Sequence, residues 1–600
     1  MKYYLPTGNE QISIPRLNEK TAGIEDVTFL SMACKGLLDV RGSDTVPLIQ
    51  PFVQADHQVQ PLQDLHWKRA QFWLPTFTAV AGPFGVEGAL LTPVGERGFA
   101  WHLQVTNRDS QPHAVCFGLE GCWASVWHCV NEDKEVSGSR ICYPSVWNNS
   151  LIFDMRCGTP LFAFAPMSSD GDCESVYDTT EEGISYQLRH SGELAPGETR
   201  EVTICWGFGY EEVAAATSAK EMLRQGWQTE WDRTVRWLAA RCKQFDDPKL
   251  TELYNTNLFF CLFFSTGVTL DTEELVMVTS RSPRYYVSAA YWDRDSLLWS
   301  FPALLQADPA LARRMLLYVF GRQRRNIGVH SRFIDGTMLE PGFELDELMA
   351  PLLALERYAD TTGDTALLHR PDVEEGVAEI LEKLAEKRHP DIALYETFLQ
   401  PTDDERVYPY LTYDNVLVWR GLRAAARFYP QYAGQAEVAE AVRDAIRTHC
   451  VKTDEAGLPY FAWSVDLQGH SDVYDEPPGS LQLLPLLGFC DEKDPVYVNT
   501  VRMIRSPDYA YSFAGSPIAE IGCPHAPHPW LLSVANSLLC GRVEHSVDIL
   551  RRVPMDNGIA CESVDEVTGM CTTGEAFATC AGFLCYALRT ALEGEENHEN

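Results

Sequence analysis

The stretch Leu345-Asp346-Glu347-Leu348-Met349-Ala350-Pro351-Leu352-Leu353-Ala354-Leu355 decides the fold of the larger part of this chain. Leu345, Leu348, Met349, Leu352, Leu353 and Leu355 recur at helical spacing and form one apolar face, and Gly363-Asp364 marks where the helix stops. Working outward, we count about twelve such helical segments between residues 246 and 592, the others near 246–265, 292–307, 309–325, 371–388, 412–428, 434–452, 479–490, 494–506, 528–540, 543–552 and 573–592. Twelve helices in sequential pairs predict six hairpins closed into an all-α (α/α)6 barrel. The loops between pairs, at 283–295, 328–346, 396–412, 470–480, 511–530 and 556–575, would then converge on one mouth.

Residues 1–210 follow a different rule. Phe99, Trp101, Leu103 and Val105 alternate with Ala100, His102, Gln104 and Thr106. Ile184, Tyr186 and Leu188 repeat the pattern, as do Val202, Ile204 and Trp206. Period-two runs between turn residues predict an antiparallel β-sandwich. Residues 211–244, helical in composition from Ala214 to Leu238, are expected to be a linker helix. The expected organisation is therefore a β-sandwich domain at 1–210, a linker at 211–244, a catalytic barrel at 245–592 and an acidic tail at 593–600.

Composition excludes several functions. The 600 residues exceed one core, and the formal net charge of −35 disfavours nucleic acid and anionic membranes as partners. No apolar run near the N-terminus reads as a signal peptide, and no stretch approaches a membrane helix. A cytoplasmic location is expected, with the 18 cysteines reduced and mostly serving as small core residues. A homo-oligomer is compatible with the sequence.

The chemistry starts at Tyr285-Tyr286-Val287-Ser288-Ala289-Ala290-Tyr291-Trp292-Asp293-Arg294-Asp295. Aromatic rings, a five-donor guanidinium and a carboxylate crowd the start of a helix. A sugar needs those parts: a flat face for its C–H side and charged groups for its hydroxyls. Two acidic clusters follow, Gln400-Pro401-Thr402-Asp403-Asp404-Glu405 and Cys561-Glu562-Ser563-Val564-Asp565-Glu566. Inverting hydrolysis of a glycosidic bond requires two carboxyls about 6.5–9.5 Å apart, one protonating the leaving oxygen and one activating water. Adjacent carboxylates such as Asp403 and Asp404 repel, which can raise one pKa as a general acid requires. Each cluster alone is equally readable as a solvated loop, the Arg294–Asp295 pair as a structural ion pair, and Asp346 as a helix-dipole partner. Gly522-Cys523-Pro524-His525-Ala526-Pro527-His528-Pro529-Trp530 has two histidines, but its prolines prevent one helical face of metal ligands, so it reads as a rigid aromatic loop.

In this order the segments resemble the six-hairpin glycosidases. Tyr285 to Leu305 is similar to the motif with which glucoamylases and glycogen-debranching enzymes hold a terminal sugar. Phe343-Glu344-Leu345-Asp346-Glu347-Leu348, continued by Tyr358 and Thr362-Gly363-Asp364, resembles the debranching type. Pro401-Thr402-Asp403-Asp404 with Tyr408 and Tyr410 resembles the acid-bearing loop of the metal-independent exo-α-1,6-mannosidases. Glu562-Ser563-Val564-Asp565 with Thr568-Gly569 resembles the base-bearing loop of both groups. The resemblance covers roughly 245–592. Asp-Asp where glucoamylases have Glu-Glu leans towards the mannosidases, while Cys561 and Ser563 beside the expected base single out no one family. It implies an inverting exo-α-glycosidase that releases terminal glucose or mannose from α-linked oligosaccharides with no cofactor and no metal. Asp404 or Asp403 is the expected acid and Glu562 the base. Tyr291, Trp292, Arg294, Asp295, Asp346, Tyr410, His525 and Trp530 are expected to contact the sugar. The rival readings are an inverting phosphorylase on the same barrel and a non-catalytic carbohydrate-binding protein.

Overall fold

The computed structural model describes residues 3–598. The chain divides into two compact units. One comprises Met1–Gln244, Thr266–Val276 and Arg281–Ala289, and the other Phe245–Ser265, Met277–Ser280 and Ala290–Asn600.

The first unit is rich in antiparallel sheet, with sheets of six, eight and five strands. The strand Gly98–Asn107 pairs with Thr199–Gly209, setting Trp101 opposite Ile204 and Leu103 opposite Val202. Phe99, Trp101, Leu103 and Val105 are buried, whereas His102, Gln104 and Thr106 are not fully so. The alternation in the sequence is therefore the alternation in the sheet. Residues from all three sheets share one core, including Phe29, Phe77, Trp101, Phe117, Trp123 and Trp206. Residues 211–244 depart from the single linker helix expected. They form two helices, Glu212–Gln225 and Trp227–Ala239, because Gly226 stands between them at φ 87°, a conformation that ends one helix and redirects the chain.

The second unit is helical. Its helices are Pro248–Phe264, Phe301–Ala307, Pro309–Gly321, Leu345–Thr362, Pro371–Glu386, Thr412–Phe428, Gln435–Ala445, Pro495–Ile504, Leu531–Leu539, Val543–Arg552 and Ala578–His598. Eleven of the twelve expected segments are thus helical. The exception is 479–490, where short 3-10 turns at Pro477–Gly479 and Leu481–Leu483 replace a helix. Pro477, Pro478 and Pro485 lack the donors a helix needs, and Gly488 takes φ 76°. The final helix also continues through His598 where a tail was expected from 593, and Glu599 and Asn600 lie outside the described residues.

Ala578–His598 packs on Pro248–Phe264, on Leu531–Leu539 and on the turn Arg294–Ser300, while Leu345–Thr362 packs on Thr412–Phe428. Arg294–Ser300 is a π-helical turn running into Phe301–Ala307. Its wider backbone is the kind often found where side chains must be aimed at a site.

Candidate active site

The candidate residues stand before or in the first turn of five helices. Arg294 and Asp295 open the π turn ahead of Phe301–Ala307, and Asp346 lies in the first turn of Leu345–Thr362. Asp403 and Asp404 precede Thr412–Phe428, His525 precedes Leu531–Leu539, and Glu562 precedes Ala578–His598. Asp295 and Asp346 lie in first turns, where partial positive charge and free N–H groups favour acidic side chains.

Arg294 is the hub. Its Nη1 donates to Glu344 Oε2 at 2.9 Å and to Asp346 Oδ2 at 3.1 Å, and its Nη2 donates to Asp403 Oδ1 at 2.5 Å. Glu347 and Asp295 lie at 3.7 and 3.9 Å from the same guanidinium. The group is buried, with Arg294 only 2% exposed. Burial pushes Glu344 and Glu347 well above the usual carboxylate range, raises Asp346, and raises Asp295 to about 7. Arg294 opposes each of these rises. Asp295 also accepts from Thr579 Oγ1 at 2.8 Å.

Beside this hub several buried polar atoms have no hydrogen-bond partner: Trp292 Nε1, His330 Nδ1 and Glu344 Oε1. Such atoms are costly unless something satisfies them, and sugar hydroxyls would do so. Trp292 and His330 meet edge to face at 6.2 Å. His330, Glu344 and Asp403 each offer a ligand atom within 4.8 Å of the others, a spacing that would admit a cation. Arg294 already contacts Glu344 and Asp403, so its guanidinium supplies positive charge there.

The second cluster surrounds Asp404. Its Oδ2 accepts from Thr402 Oγ1 at 3.0 Å and lies 3.4 Å from His525 Nδ1. Hydrogen bonding to Asp404 raises His525 to about 9, and the same contact holds Asp404 below the usual carboxylate range. The negative charges of Glu562 and Asp403 also favour the protonated imidazole. Glu562 is buried and accepts from Thr573 Oγ1 at 2.7 Å. Trp530 stands 6.1 Å from the His525 ring.

Two expected sugar contacts are engaged by the protein itself. Tyr291 is fully buried, its hydroxyl donating to Asp293 and its ring under Arg332 at 4.9 Å. Tyr410 packs on His389 at 5.9 Å. Both aromatics are neighbours of the acids in sequence, and both are buried. Sequence reasoning missed Glu344 and Glu347 as partners of Arg294, and it missed Glu476. The Glu476 carboxyl is buried, its Oε2 accepts from Tyr474 at 3.1 Å and contacts Thr402, and burial raises it to about 8. The run Tyr474-Asp475-Glu476-Pro477-Pro478 offered a signal: an acidic pair fixed between an aromatic and two prolines.

Residues 388–588 match the metal-independent α-mannosidase family, GH125. That segment contains Asp403, Asp404, Glu476, His525 and Glu562. The Meiotically up-regulated gene 157 protein of Schizosaccharomyces pombe is 28% identical over 188 residues, 29% of this chain and 37% of that protein. The chain therefore aligns with little more than a third of that relative's length. A Streptococcus pneumoniae metal-independent α-mannosidase, solved in a non-productive complex with α-1,6-mannobiose, shares the fold at TM-score 0.52 and 20% identity, over 62% of this chain and 99% of its own. A bacterial glucoamylase complexed with acarbose gives 0.64 at 13% identity, over 99% and 95% of the two chains. A protein from the human microbiome assigned as a kojibiose phosphorylase gives 0.61 at 9%, over 99% and 87%. All are folds of the six-hairpin glycosidase type, as the sequence resemblance implied. The family match and these neighbours together support a glycoside hydrolase.

Proposed function

We propose that the chain is an inverting, exo-acting α-mannosidase that removes terminal mannose from small oligosaccharides without a metal. One observation carries this reading: Asp404 lies 3.4 Å from His525, whose protonated form is also favoured by the charges of its neighbour Asp403 and of Glu562 from a loop far along the chain. Carboxyls from two loops whose charges bear on one imidazole can flank one sugar ring, as inversion requires. Asp404 is the general acid and Glu562 the base. Asp403 is engaged by Arg294, which separates its role from that of its neighbour. Arg294, Asp346, Glu344 and Trp292 hold the terminal sugar.

The exposure gradient supports exo action. Asp346 and Glu344 are fully buried, whereas the Asp404 side chain is 49% exposed, as in a recess closed at one end. The packing of Ala578–His598 on Pro248–Phe264 supports a closed ring of six helical hairpins over 245–592, with 1–210 as an accessory β-sandwich. Mannose is preferred on the family match and on the mannobiose that the Streptococcus pneumoniae enzyme binds. The eighteen free thiols support a reducing compartment such as the cytoplasm.

The test is release of monosaccharide from α-1,6-mannobiose and isomaltose, with and without phosphate, following the first anomer by NMR. β-Mannose released without phosphate is the expected result. Sugar phosphate formed only when phosphate is added would replace the hydrolase with a phosphorylase, and α-mannose as first product would overturn inversion.

A further inference from the structure

The proposed acid presents a difficulty. His525 holds Asp404 ionised, yet a general acid must carry a proton at the moment the bond breaks. The surroundings of Thr402 resolve it. Thr402 Oγ1 lies 3.0 Å from Asp404 Oδ2, 3.1 Å from Glu476 Oε2 and 3.3 Å from Gln400 Nε2. Gln400 Oε1 accepts from Trp463 Nε1 at 3.2 Å, which fixes the amide with its NH2 towards Thr402. A hydroxyl has one hydrogen and two lone pairs. One lone pair takes the Gln400 donor. The hydroxyl hydrogen can then serve one of the two carboxyl oxygens fully, and the other makes a good hydrogen bond to Thr402 only by donating. One proton on the Asp404–Glu476 pair satisfies both contacts in either arrangement.

We infer that Glu476 and Asp404 share this proton through the Thr402 hydroxyl, and that Glu476 is the positioning residue that loads Asp404 as the acid. The inference rests on the proposed role of Asp404. In the resting arrangement Glu476 is neutral: its Oε1 is buried without a partner, which disfavours an anion, and its Oε2–H donates to Thr402. Loading moves two protons. The Glu476 O–H bond breaks as a new O–H forms on Thr402, while the original Thr402 O–H breaks as Asp404 gains its hydrogen. The negative charge passes to Glu476, where Tyr474 donates to Oε2 at 3.1 Å. Asp404 then gives its proton to the departing oxygen, and solvent restores the pair.

The ionisable groups around Glu476 are Asp404, Tyr474, Tyr509, Cys523, Asp414, Arg294 and Arg406. Desolvation is the largest influence on Glu476, and it keeps the carboxyl protonated up to about pH 8.

The experiment compares two substrates of one sugar, the α-1,6-disaccharide and a dinitrophenyl α-glycoside whose leaving group needs no proton. Glu476→Gln and Thr402→Val should each lower kcat on the disaccharide by about 10²-fold or more, the scale of lost general acid catalysis. They should cost far less on the dinitrophenyl substrate. Thr402→Ser, which keeps the hydroxyl, should restore what Thr402→Val loses. The alkaline limb of wild-type kcat should lie near pH 8 and move to lower pH in Glu476→Gln. Equal losses on both substrates, or a disaccharide rate unchanged in both variants, would overturn the relay. A wild-type chain that cleaves neither substrate, or Glu562→Gln with full activity, would instead sink the glycosidase reading itself.

Discussion

One guanidinium, that of Arg294, faces the carboxyls of Glu344, Asp346, Asp403, Glu347 and Asp295. One positive charge cannot neutralise five negatives in a buried space, so part of this set must hold protons, and burial raises four of the five. Arg294→Ala should lower the unfolding free energy by about 3–5 kcal/mol in urea titrations, because it strands buried acids. Arg294→Lys should also lose sugar affinity in calorimetry, since an ammonium cannot replace a planar fork of donors. His525 gives a pH signature. Its pKa rises from 6.5 to about 9 on pairing with Asp404, so its contribution to stability is complete below about pH 6.5 and disappears as pH rises through about 9. The Tm difference between wild type and His525→Gln should follow that curve, and a difference that grows with pH would refute the pairing. At this scale Arg294, Asp346 and the acidic pair stand out in the sequence because charged residues crowd an aromatic helix start and a single loop. The sequence concealed Glu476, since an acid before two prolines also reads as a turn. It left open how Tyr291 and Tyr410 are oriented, because proximity along the chain does not reveal which way a ring points.

The helices and strands were readable wherever the apolar period was long. Gly98–Asn107 and Leu345–Thr362 are the clearest cases, each with a continuous buried face. Errors fell at glycines and prolines, at Gly226 within the expected linker helix and at Pro477, Pro478 and Pro485 within or beside an expected barrel helix. Period counting gives little weight to a single residue that changes the backbone. Gly363 shows the energetic scale of such a residue. It caps Leu345–Thr362 at φ 71°, and its N–H donates to Ala359 O. A Cβ there would meet nothing within 4 Å, so the cost of Gly363→Ala is conformational alone. Thermal unfolding should report a loss of about 1 kcal/mol, the cost of a left-handed conformation in a residue with a side chain. No measurable loss would mean that the cap relaxes to another geometry.

Across the whole molecule, the two classes of periodicity predicted a sheet-rich part and a helical part, and the comparisons agree with that order. The ligand chemistry was less readable, because each candidate residue comes from a different loop and its partners are set only by folding. The trio His330, Glu344 and Asp403 makes metal dependence a direct test. Turnover should survive exhaustive chelation; loss restored by added calcium or zinc would assign an ion to that trio. The packing of Ala578–His598 on Pro248–Phe264 and on the turn bearing Arg294 has a consequence for synthesis. Ala578–His598 thus supports Pro248–Phe264, the first helix of its unit, from far along the chain. A nascent chain should therefore stay inert until Ala578–His598 has left the ribosome, and premature stop codons just ahead of it should be as damaging as early ones.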